Sequence, residues 1–235
     1  MDEHRQLEER AAWYLQNQLD FDKKLIRFRY QSLRPWFTGR SCLELGPAEG
    51  VMTERLVEDF ERVTVVEAAR DLTDAIPEHP RLRKVCSLFE EYVPTEQFDT
   101  VVLDHVLEHV EDPFTLLKRA SDWVAPAGRL LAGVPNAHSF HRLVAVKMGL
   151  LSAPTDLNER DRTLGHRRVY TPETFRRELE AAGLHVMHQG GVFFKPLSNA
   201  QIETHWTEEM IEGFYRLGFD FPDQAAELFA VCDCK

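Results

Sequence analysis

The sequence predicts a doubly wound α/β fold: a mostly parallel, seven-stranded Rossmann-like sheet with helices on both faces. Three observations carry that expectation. Short β-branched apolar runs alternate with helix-period segments from residue 41 onward, a glycine turn follows the first run, and 43% hydrophobic residues in a chain of 235 suffice for a sizeable core.

The elements follow in order. "SCLEL" is a short strand ending at Gly46, and "VMTERLVEDF" places Val51, Leu56, Val57 and Phe60 at helical spacing. "RVTVVEA", "RLRKVCS", "FDTVVLD" and "RLLAGVP" are the second to fifth strands. Before the fifth, Asp112 and Pro113 mark a helix start, a capping carboxylate followed by a first-turn proline. Residues 136–170 then combine a short amphipathic helix with a polar loop, longer than a plain connection. Thr171 and Pro172 open a helix that Gly183 closes, and "LHVMHQGGVFF" and "AELFAVCDC" are the last strands, with the helix "TEEMIEGFYRL" between them. Residues 5–33 read as one or two amphipathic helices.

Composition narrows the function. No run approaches the roughly 18 apolar residues of a membrane span, and "MDEHRQLEER" lacks a basic end followed by an apolar stretch, so a cytoplasmic protein without a membrane partner is expected. A net charge of −11 argues against nucleic acid and favours a neutral or cationic small partner. Cys42, Cys86, Cys232 and Cys234 have no zinc-finger spacing and read as reduced structural thiols.

The turn "ELGPAEG" has glycines at 46 and 50, which let the backbone bend sharply and approach a ligand. It fails the dinucleotide pattern G-x-G-x-x-G at Ala48 and Val51, and no G-K-[ST] follows. Glu44 and Glu49 flank it without a nearby cation, an arrangement that repels a pyrophosphate and suits a ligand carrying a sulfonium, an ammonium and a ribose. Glu67 ends the second strand 21 residues after Gly46, where an acid can accept ribose hydroxyls.

Together "LELGPAEG", Glu67 in "VTVVE", "FDTVVLDHVLEHVEDP", "APAGRLLAGVPN" and "LGHRRVYTPETFRRELEAAGL" resemble the class I S-adenosylmethionine-dependent methyltransferases, specifically the methyltransferase-domain group akin to the ubiquinone and menaquinone methylases. The resemblance spans about residues 41–192 and lies in the order and spacing of the pieces. It implies that S-adenosyl-L-methionine is the cofactor. Glu44, Gly46 and Gly50 would hold its methionine end and ribose side, Glu67 the ribose hydroxyls, Ser87, Leu88 and Phe89 the adenine, and Asp104 and His105 the methionyl group. Two departures bear on affinity: Ala48 replaces the common middle glycine, and Ser87 stands where an acid is frequent. By the same resemblance the chain divides into an N-terminal helical flap (1–40), a cofactor-binding half (41–135), an acceptor lid (136–170) and the remainder of the sheet (171–235).

Methyl transfer needs chiefly an acceptor lone pair held in line with the methyl carbon, and a base only where the acceptor arrives protonated. His105, His138 and His166 are the candidate bases. Tyr14, His141, Arg167, Tyr170, Lys195 and Asn199 are candidates for acceptor contact, and Arg29 for closing over the cofactor. His105, Glu108 and His109 also spell H-x-x-E-H, a zinc pattern in some metallopeptidases, but its place after the fourth strand of such a sheet argues for no metal. "DHVL" replaces the N-P-P-Y segment of adenine and glutamine amino-methylases. The expected activity is methylation of an oxygen or nitrogen of a small metabolite, in specialised or cofactor biosynthesis. The alternatives are a peptide or protein methyltransferase and a catalytically silent cofactor-binding protein, and a homodimer is left open.

Overall fold

The computed structural model describes residues 20–234. In chain order these are α1 (Asp20–Leu33), β1 (Ser41–Leu45), α2 (Thr53–Asp59), β2 (Arg62–Glu67), α3 (Arg70–Ala75), β3 (Leu82–Cys86), β4 (Phe98–Asp104), α4 (Pro113–Asp122) and β5 (Val124–Pro135). They continue with α5 (Phe140–Lys147), α6 (Glu159–Leu164), α7 (Pro172–Ala181), β6 (Leu184–Val192), α8 (Asn199–His205), α9 (Glu208–Asp220) and β7 (Glu227–Cys234). Tyr14 and residues 1–19 of the expected flap (1–40) lie outside the described residues.

All seven strands join one sheet in the order β3-β2-β1-β4-β5-β7-β6. Strands β1 to β5 are parallel, whereas β7 runs antiparallel between β5 and β6. The period-two alternation of side chains sorts the sheet into two cores. Leu43, Leu45, Val101, Leu103, Leu130 and Ala132 face Leu117 of α4 and Phe175 of α7. Cys42, Val102, Leu131, Val63 and Val65 face the other way, toward Leu56 of α2, Ile211 of α9 and Phe21, Leu25 and Phe28 of α1. Phe28 stacks on Tyr215 with ring centroids 4.2 Å apart, which fastens α1 to α9.

The caps behave as the sequence suggests. Asp112 accepts from Thr115 N at 3.1 Å, and Thr171 caps α7 ahead of Pro172. Three features differ from expectation. Strand β5 begins at Val124 rather than Arg129, because its pairing with β4 continues through an irregularity between Phe98 and Thr100. Helices α3 and α8, six and seven residues long, are too short to show a period in the sequence. The polar stretch after α5 contains α6, which a capping box between Asn158 and Asp161 initiates. No helix among the described residues is long and apolar enough to cross a membrane.

Candidate functional site

The carboxyl edge of β1, β4 and β5 meets the amino end of β7 at a cavity of about 250 Å³, closed from one side by α1 and from another by residues of the 136–170 insertion. Because β7 is antiparallel, Glu227 at its start lies opposite Pro135 at the end of β5. Asn136 ties this corner together: its amide nitrogen donates to the carbonyls of Asp223 (2.9 Å) and Ala225 (2.8 Å), and its amide oxygen accepts from His138 N (2.8 Å).

One wall is the glycine turn. Gly46, Ala48 and Gly50 all have positive φ, at 66°, 48° and 85°. A Cβ on Gly46 would stand 2.9 Å from Val106, so both conformation and space demand glycine there. Glu44 is buried beneath the turn and accepts from Thr53 Oγ1 at 2.6 Å. Burial pushes its carboxyl up to about 8; the Thr53 bond opposes this, and Asp104 and Glu67 add to it. Glu67, also buried, accepts from Ala69 N at 3.0 Å. Burial raises its carboxyl as well, against the opposing pull of the Ala69, Ala68 and Ala48 backbone amides. Ser87 N donates to Glu67 O at 3.0 Å. Glu67, Ser87, Leu88 and Phe89 therefore occupy the adjoining ends of β2 and β3, beside the cavity rather than within its lining.

The floor is a buried ion network. Arg29 of α1 donates through Nε to Asp104 and through Nη1 to both oxygens of Glu227, at 2.9 and 3.0 Å. Burial raises the Glu227 carboxyl, but Arg29 and His105 overcome this and hold it down at about 2. Asp104 keeps its other oxygen buried and without a partner, in a space that a Cβ on Gly133 would fill at 2.3 Å. His105, at φ 58°, places Nδ1 3.3 Å from Glu108 and Nε2 3.6 Å from Glu227, ion-pair rather than hydrogen-bond contacts. Burial and Arg29 push the imidazole down, yet Glu227 and Glu108 prevail and raise it above its usual value. Glu108 is fully buried, which raises its carboxyl against the opposing fields of His105 and His166.

The wall formed by residues of the 136–170 insertion carries His141, Arg142, Asn158, Arg160, Asp161 and His166, joined by Asp22, Lys195 and Asn199. Arg142 meets Asp161 at 3.0 Å, Arg160 meets Asp22 at 2.7 Å, and Asn199 donates to Asp22. His166 Nδ1 lies 3.5 Å from Asp161, whose carboxyl is held at about 2: burial works against that, and His166, the Asn158 amide and Arg142 outweigh it. Burial, with Lys195 and Arg142, drives His141 down to about 3. Glu108, His109 and His166 bring potential ligand atoms within 4.8 Å of one another, a two-histidine, one-carboxylate donor set of the kind divalent zinc accepts. The third member is His166 from the insertion, not the His105 of the sequence pattern.

Thus Glu44, Gly46, Asp104, His105, His141, His166, Lys195 and Asn199 share one cavity. Gly50 shapes the turn from behind, packed on Ile76. Three candidates stand elsewhere. His138 sits half-buried outside the lining, its backbone bound to Asn136. Arg167 donates to His109 O (3.0 Å), beside Arg168, which donates to the carbonyls of Leu107 and Val110. These arginines satisfy the loop after β4, so Arg167 does not face the cavity. Tyr170 is core, its ring against Phe175. Sequence reading passed over Glu227, Asp22, Asp161 and Arg142. Glu227 did carry a signal, an acid at the head of an apolar strand run, whereas the others had none.

Residues 7–189 match the methyltransferase-domain family. The chain is 27% identical over 171 residues to the ubiquinone biosynthesis O-methyltransferase of Aeromonas salmonicida, covering 68% of this chain and 69% of that one. It is 23% identical over 183 residues to the protein of that name in Coxiella burnetii, covering 74% and 76%. Among solved structures, the N-methyltransferase NodS of Bradyrhizobium japonicum in complex with S-adenosyl-L-homocysteine superposes with a TM-score of 0.60 at 19% identity, covering 97% of this chain and 96% of that one.

Proposed function

We propose, from the premise that this chain belongs to the methyltransferase-domain family as a class I S-adenosylmethionine-dependent methyltransferase, that it methylates an oxygen or nitrogen of a small metabolite in specialised or cofactor biosynthesis. The observation that supports the cofactor's placement is the acid pair at the carboxyl ends of β1 and β4. Asp104 has a buried oxygen without a partner, and Glu44 is buried with its carboxyl pushed up to about 8. An anionic ligand would worsen both, whereas a ligand bearing an ammonium and a sulfonium relieves them. These residues therefore fit S-adenosylmethionine, which supplies an electrophilic methyl group when bound. Glu44, Gly46, Gly50 and Asp104 would hold its methionine end, Glu67 its ribose hydroxyls, and Ser87, Leu88 and Phe89 its adenine.

The chain's own contribution is to hold the acceptor in line and exclude water. Residues 136–170 serve as the lid, and a cavity of about 250 Å³ walled by α1 and that insertion supports a small acceptor over a peptide, which needs a long groove. Oxygen is the better-supported target, since the curated relatives are O-methyltransferases. His105 is the residue to receive a proton from an acceptor hydroxyl, because Glu227 and Glu108 favour its imidazolium. His138, outside the cavity, is given no part, and His166 positions Asp161.

Calorimetry with S-adenosylhomocysteine tests this reading. Tight binding is expected, weakened by about 1–3 kcal/mol in Glu67→Ala as the ribose bonds are lost. Wild-type protein that binds no cofactor would overturn it.

A further inference from the structure

Each arginine lining the cavity already has a carboxylate: Arg29 has Asp104 and Glu227, Arg142 has Asp161, and Arg160 has Asp22. Lys195 differs. Among the described residues its ammonium has neither an ion pair nor a hydrogen bond, although it lines the same cavity. It stands between β6 and α8, and its carbonyl accepts from His141 N at 3.2 Å, which fixes the two residues side by side. Two polar atoms beside this half-buried lysine are buried without partners, Nδ1 of His141 and Oδ1 of Asn199. Asn199 itself is only 7% exposed.

An ammonium that faces a cavity without a counter-ion is unfavourable there, and the usual partner for it is a carboxylate. Burial, aided by Arg160 and Arg142, draws Lys195 down to about 8, while Glu227 and Asp22 pull the other way. The cofactor's cationic groups match the acids of the opposite wall, and Lys195 belongs with residues of the lid. We propose that Lys195, with His141 and Asn199, forms a subsite for a carboxylate on the methyl acceptor, which is then a small carboxylic acid bearing the hydroxyl or amine to be methylated. This rests on the methyltransferase reading above. Lys195 supplies the charge, the neutral imidazole of His141 a directional hydrogen bond, and Asn199 Oδ1 an acceptor for a neighbouring O–H or N–H. The expectation of a neutral or cationic acceptor, drawn from a chain charge of −11, is thereby reversed. Net charge describes the outer surface, whereas the unpaired group inside decides what the pocket takes.

The test titrates protein saturated with S-adenosylhomocysteine with benzoate, benzamide and benzylamine, in wild type, Lys195→Met and Lys195→Arg. Wild type should prefer benzoate over both others by about tenfold or more, the order of one charge-assisted pair. Lys195→Met should lose that preference while still binding S-adenosylhomocysteine, and Lys195→Arg should keep most of it. Equal affinity for benzamide, or a preference that survives Lys195→Met, overturns the subsite. Loss of S-adenosylhomocysteine binding in Lys195→Met, without a benzoate preference in wild type, assigns the lysine to the cofactor carboxylate and also overturns it. Failure of wild type to bind S-adenosylhomocysteine is a different result: it removes the methyltransferase reading, and the benzoate preference is then read on the free protein.

Discussion

The two walls of the cavity are built on different principles. The glycine-turn wall is local: Glu44, Gly46, Ala48, Gly50 and Thr53 lie within ten residues, and their arrangement follows from backbone dihedrals and one short side-chain bond. The opposite wall and floor are long-range, since Arg29 joins Asp104 across 75 residues and Glu227 across 198. A local wall tolerates a lost side chain because its backbone keeps its shape. A networked one does not, because removing one ion strands the others in a place without water.

The sharpest way to break this comparison is Arg29→Ala. It leaves Asp104 and Glu227 buried without their cation, so a loss of about 3–5 kcal/mol in denaturant-unfolding stability is expected. A loss under about 1 kcal/mol would mean that the network is not what holds α1 over the site. Next is Gly133→Ala, whose Cβ would lie 2.3 Å from Asp104 Oδ1. Displacing that carboxylate should cost about 1–3 kcal/mol in stability and lower S-adenosylhomocysteine affinity as well.

Glu44 sharpens the local side through pH. Its folded pKa, about 8, lies above the ordinary 4.5, so the native state holds this proton more tightly than the unfolded chain. Its contribution to stability is present below the ordinary value and lost as pH rises through the folded one. Cofactor-free Glu44→Gln should therefore lose less stability than wild type between pH 5 and 8, measured by urea titration at each pH. Adding S-adenosylmethionine to wild type should remove most of that difference, because a cation stabilises the carboxylate. The smallest effect belongs to Ala48→Gly: at φ 48° alanine sits in a region that glycine enters freely, and the variant should gain up to about 1 kcal/mol in melting experiments.

The legibility of the chain follows the same division. The strands of the central sheet could be read because each contains an apolar run bounded by turn residues, β-branched in β2 and β4, and β1 is buried along its whole length. Helices α4 and α7 announced themselves through Asp112-Pro113 and Thr171-Pro172. The glycine turn, with Glu44 and Glu67 at fixed distances from it, was legible for the same reason. Arg167 and Tyr170 misled because an arginine and a tyrosine beside a histidine look alike whether they face a ligand, a loop carbonyl or a core. Only their surroundings distinguish these, and those come from residues 107–110 and from α7.

By itself the sequence determined the alternation of strand and helix, the glycine turn and the acids around it. These depend on periodicity, capping and dihedral preference, all of which act over a few residues. The tertiary structure alone decided that β7 inserts antiparallel and brings Glu227 to the carboxyl edge, that the cavity's arginines are paired, and that Lys195 has no ion pair or hydrogen bond among the described residues. Which charges compensate one another inside a protein depends on distance and desolvation, and neither is a property of spacing along the chain.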